Sequence, residues 1–80
     1  MNKVELRQGR CYRATLSLGL LEQLADNEMI AAQFRARGFI DVHVEGDGPA
    51  REAVGVWNSA NAVLPLPAQV TSVHEIHGRA

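Results

Sequence analysis

The stretch from Asp26 to Glu45 constrains the fold of this chain more than any other. Asp26 is a good helix N-cap, Glu28 falls in the first turn, Arg35 and Arg37 fall in the last, and Gly38 occupies the position where a left-handed residue ends a helix. Together they predict a helix from Asn27 to Arg37. Phe39-Ile40-Asp41-Val42-His43-Val44-Glu45 then alternates as a half-buried strand does, with no room for a longer connection. A helix that stops directly into a strand implies helix layered on sheet.

The flanking segments extend this picture. Val4, Leu6, Tyr12, Ala14, Leu16 and Leu18 all share even parity, as one continuous strand with a single buried face requires, and Gly9 is compatible with a bend in it. A tight hairpin at Gly9-Arg10 would break that parity. On an unbroken helix from Leu20, Asn27 would interrupt the apolar arc of Leu20, Leu24, Ile30, Ala31 and Phe34, so residues 18–25 read as a separate short turn with Ser17 as its cap. After the main strand, Gly46-Asp47-Gly48-Pro49 is strong turn chemistry and predicts a hairpin. The expected register sets Val42 against Val54 and Ile40 against Val56, with a loop from Gly46 to Ala50. Its other face then pairs Phe39 with Trp57, Asp41 with Gly55, His43 with Ala53 and Glu45 with Arg51. Residues 58–69 lack a period and carry Pro65 and Pro67, which reads as a packed extended loop. Val70 to Ile76 is β-prone with ambiguous parity, and reads as a short edge strand.

This order predicts a single α+β domain over residues 1–80: a two-layer sandwich with one main helix on a mainly antiparallel sheet of three to four strands. A truncated ferredoxin-like sheet, its second helix replaced by the proline-containing loop, is the expected form. The right-handed crossover rule sets the first strand parallel to a later one.

Bulk properties narrow the function by exclusion. Eighty residues bury only about 60–65% of the surface the unfolded chain exposes, so a single core of modest stability is expected. A net charge of −1 provides no long-range field for phosphates, which disfavours nucleic acid as a partner. Charges interrupt the N-terminus before any apolar run develops, and no run approaches a membrane span, so neither a leader nor a membrane partner is expected. Cys11 is the sole cysteine and excludes an internal disulfide, which fits a reducing, cytoplasmic setting.

Chemistry-bearing motifs are sparse. Asp41, His43 and Glu45 recur at spacing two, roughly 6.5–7 Å apart along a strand, too loose for metal ligands that must converge on one point. They read as a solvated face, with Glu45 paired to Arg51. His74 and His77 would point to opposite faces of a strand. Cys11 has no catalytic signature around it, and the Gly46–Gly48 glycines precede no helix and so form no phosphate cradle. No catalytic residue, metal site or cofactor is expected.

Phe39 and Trp57 carry the most functional content, because the expected register places both on the face opposite the helix, where something must cover them. The chain's own Val63–Pro67 segment is one cover and a second protein chain, identical or different, is the other. Two functions follow. The first is a non-enzymatic interaction or assembly module, with Phe39, Asp41, His43, Arg51 and Trp57 as its face and a protein partner or self-association as its use. The alternative is a small-ligand- or metal-binding protein or minimal enzyme using Asp41, His43 and Glu45, completed across an oligomer interface.

Overall fold

A computed structural model describes residues 3–76. Even positions of the first segment are buried as expected, Leu6, Tyr12, Ala14 and Leu16 among them. The segment is nevertheless two strands. Gly9 at φ 86° and the bond from the Arg10 N–H to the Arg7 carbonyl (3.1 Å) make a turn that divides β1 (Lys3–Leu6) from β2 (Cys11–Ser17). The turn sends the two strands into different sheets, and both keep their apolar side inward.

The helix α1 spans Asn27–Arg37, as its caps dictate. The Asp26 carboxylate accepts from the Met29 N–H at 2.8 Å, and Gly38, at φ 121°, donates its N–H to the Arg35 carbonyl. Glu28 and Arg35 form an ion pair along its exposed side. A 3₁₀ turn at Glu22–Leu24 leads into it, but Ser17 does not cap that turn. The turn has no side-chain cap; the Glu22 carboxylate reaches back to accept the Gly19 N–H at 2.7 Å, while the Ser17 N–H is spent on the Gln69 carbonyl.

The hairpin of β3 (Phe39–Asp47) and β4 (Ala50–Trp57) begins in the expected register, Phe39 with Trp57 and Ile40 with Val56. A bulge then shifts it by one, so His43 meets Val54, Val44 meets Ala53 and Glu45 meets Glu52. Asp41, at φ 53°, sits in the bulge, a left-handed conformation that Asp tolerates better than most residues. The strands close on the two-residue turn Gly48-Pro49 rather than a five-residue loop, since Gly48 at φ 59° and proline's fixed φ match the sign pattern of a hairpin turn. The pairs Val42–Val54, His43–Ala53, Asp41–Gly55 and Glu45–Arg51 therefore do not form.

The bulge has an energetic rationale. It lets Phe39 share the inner face with Val42 and Val44 despite their opposite parity, and it turns Arg51, Ala53, Gly55 and Trp57 inward while Val54 and Val56 point outward and stay half-buried. Burying one tryptophan, about 150–250 Å² of surface, outweighs what two partly shielded valines lose. Trp57 thus lies on the helix side of the sheet, not opposite it.

Four strands pair antiparallel in the order β3-β4-β2-β6, where β6 is Val70–Ile76. A register shift beside Thr15 sets both Val70 and Val73 inward, resolving the parity conflict in that tail. β2 and β3 run parallel with β4 between them, joined through α1. β1 pairs instead with β5 (Ala62–Pro65), formed within the segment expected to be loop. The architecture is α+β, with one α-helix and six strands in two antiparallel sheets among the described residues. It is not the two-layer ferredoxin-like sandwich expected, because the β1–β5 ribbon shares the inner face of the larger sheet with α1. Among the described residues, no helix is long and apolar enough to cross a membrane.

Candidate functional site

Two elements cover the inner face, α1 and the β1–β5 ribbon. α1 lies over β3 and contributes Ile30 and Ala31 to a cluster with Ala14, Leu16, Leu18, Val44 and Ala53. The ribbon contributes Leu6, with Val4, Ala62 and Leu64 against it, to a second cluster around Tyr12 and Trp57. Between them runs a cleft of about 500 Å³, within the range of small-molecule sites. Its helix wall is the stripe Ile30, Gln33, Phe34 and Arg37, positions that recur on one face of a helix. The ribbon and the chain after it, Val4, Leu6 and Leu64 to Pro67, form the opposite wall.

The floor explains why the space exists. Ala14 is directly paired with Ala53, so this part of the sheet presents two methyl groups where larger side chains would reach further into the cleft, whereas the space above Gly55, paired with Tyr12, is taken by Val42, whose Cγ2 would lie 3.3 Å from a Cβ there. Phe34, Phe39 and Trp57 stack edge to face along one side, at centroid separations of 5.8 and 4.9 Å. The polar atoms of the floor are already satisfied: the Trp57 indole donates to the Ala60 carbonyl at 2.9 Å, and the Tyr12 hydroxyl accepts the Arg7 N–H at 2.7 Å. Polar recognition is left to the rim. At one end Glu22 accepts from the Gln69 amide at 2.6 Å, and this bond, with that from Gly19, holds its carboxyl below the usual range. Gln33 and Arg37, one turn apart on α1, have no side-chain partner among the described residues.

The residues expected to act are scattered by the register. Trp57 is only 4% exposed, covered by its own chain, and Phe39 packs on it inside the cleft. Val63 faces outward and Leu64 packs toward Trp57, so the 63–67 segment does supply cover, together with β1. Arg51 is buried at 6% exposure. Its guanidinium donates to the carbonyls of Gly48, Ala25 and Gln23 and to Asn27 Oδ1, at 2.9–3.2 Å, binding the hairpin tip to the start of α1. His43 and Glu45 pair at 2.8 Å on the open outer face, both well exposed, and the bulge takes Asp41 out of line with them. No cluster of three or more metal-ligating side chains occurs among the described residues. His74 lies on the outer face opposite Arg13, whereas His77 lies outside the described residues.

Sequence reasoning missed the cleft. Ile30 and Phe34 were legible as an apolar arc, but the alanine pair becomes visible only once β2 and β4 are in register. Comparison with protein-family models, curated proteins and solved structures returns no match, so the chemistry of the site rests on its geometry.

Proposed function

We propose that this protein is a small, non-enzymatic binding module that holds an apolar ligand in the cleft between α1 and the β1–β5 ribbon. The observation that carries this is the Ala14–Ala53 floor, a place where the sheet leaves room beneath three aromatic rings instead of filling it. Phe39 and Trp57 serve a docking face poorly, because their own chain already covers them. A binding role without catalysis fits the commitment of Tyr12 and Trp57 polar atoms to backbone partners. Trp57, the only tryptophan, is a built-in reporter. Titration with dodecanol should change its emission saturably, and Ala53→Leu, which fills the floor, should abolish the change. Binding that survives the filled floor would place the ligand elsewhere and defeat the proposal.

A protein partner or self-association is a second reading, carried by a different feature. Leu20, Leu21 and Leu24, between β2 and α1, are 80–84% exposed, an apolar cluster of the kind found at interfaces. Sedimentation of wild type against Leu21→Ser tests it: a heavier species lost in the variant supports association, and a monomer at every concentration removes self-association.

A further inference from the structure

We infer that the ligand is an amphiphile with an anionic head, its tail on the Ala14–Ala53 floor and its head held by Arg37 with Gln33. This deepens the ligand-cleft reading and rests on it. The cleft has two chemically distinct ends. Near the start of α1, the one carboxylate on its lining, Glu22, is engaged by Gln69 and Gly19. At the far end, beside Phe39 and Trp57, stands Arg37, whose guanidinium has no carboxylate and no hydrogen-bond acceptor among the described residues.

The other arginines of the chain's described part are spoken for. Arg7 pairs with Glu5, Arg10 with Glu75, Arg13 with Glu52, Arg35 with Glu28, and Arg51 donates to three backbone carbonyls and to Asn27 Oδ1. Among the described residues Arg37 is therefore the one arginine without an acidic or carbonyl partner, and it borders the apolar space. Gln33, at i−4 on the same face, places a neutral amide donor next to it. A planar guanidinium flanked by an amide suits an oxygen anion such as a carboxylate, which accepts two or more charge-assisted bonds. A cationic head would meet repulsion from Arg37 and find Glu22 already bonded. An uncharged head would gain neither.

The test uses the full chain and three ligands that share a tail: dodecanoate, dodecanol and dodecylamine, each titrated below its micelle concentration with Trp57 emission as readout. Dodecanoate should bind about two- to fivefold more tightly than dodecanol, the range expected of a rim-exposed charge pair, and this preference should shrink in high salt. Arg37→Gln should bring the ratio of the dodecanoate and dodecanol affinities close to one, a ratio in which any common change in tail packing cancels, and Arg37→Lys should restore part of the preference. Arg37 is exposed at the helix end, and unchanged circular dichroism confirms that the variants fold. Equal affinity for carboxylate and alcohol, or tightest binding of the amine, overturns the anionic head while the cleft stands. Binding of none of the three to wild type overturns both.

Discussion

Ala53→Leu decides whether the cleft is real space. Ala53 sits on the floor opposite Ala14, and leucine adds three carbons that must enter the gap between α1 and the ribbon. At about 0.8 kcal/mol per carbon removed from water, the transfer gain has a ceiling of about 2.4 kcal/mol. Ordering the leucine rotamer subtracts about 0.5–1 kcal/mol, leaving a net stabilisation of about 1.5 kcal/mol. For a domain of this size that raises Tm by about 6–12 °C. Thermal and urea unfolding followed by circular dichroism measure it, with an unchanged urea slope as the sign that only stability moved. If the floor were closely packed in solution, the same substitution would overpack it and cost about 1–3 kcal/mol. A loss of that size refutes the cleft, and the proposed ligand with it.

Gly38→Val should destabilise by more than about 1 kcal/mol, since the residue holds φ 121° and a Cβ there would overlap Ser59 Oγ and crowd Trp57; a melting temperature equal to wild type would contradict this. Arg51→Met keeps the stem but leaves the carbonyls of Gln23, Ala25 and Gly48 without their donor, for an expected loss of about 2–4 kcal/mol in urea unfolding. Because the folded-state pKa of Glu22 is lowered from 4.5, its bonds to Gln69 and Gly19 contribute fully above that value and are lost as pH falls through the lowered one; Glu22→Gln should flatten this part of the acid limb of a Tm-against-pH curve. Trp57 emission should be blue-shifted and unchanged on dilution, as cover by its own chain requires, whereas a red shift on dilution would reveal cover by a second chain.

Local chemistry made α1 legible from end to end. Asp26 and Gly38 act on their own backbone neighbours, so no distant contact was needed to place them. The inward set on β2 was equally readable, because parity along one strand is a local property. Register is not. Which face Trp57 occupies depends on a one-residue bulge at Asp41 and on a tight Gly48-Pro49 turn, and a slip of one residue reverses every side chain beyond it. Four aromatic and aliphatic side chains, Phe39, Val42, Val44 and Trp57, can share one face only if the strand absorbs an extra residue, and that gain is collected across strands rather than along them. The same holds for the cleft. Ala14 and Ala53 are unremarkable thirty-nine positions apart, and become a floor because β2 and β4 set them side by side under a helix and a ribbon that leave the space between them open.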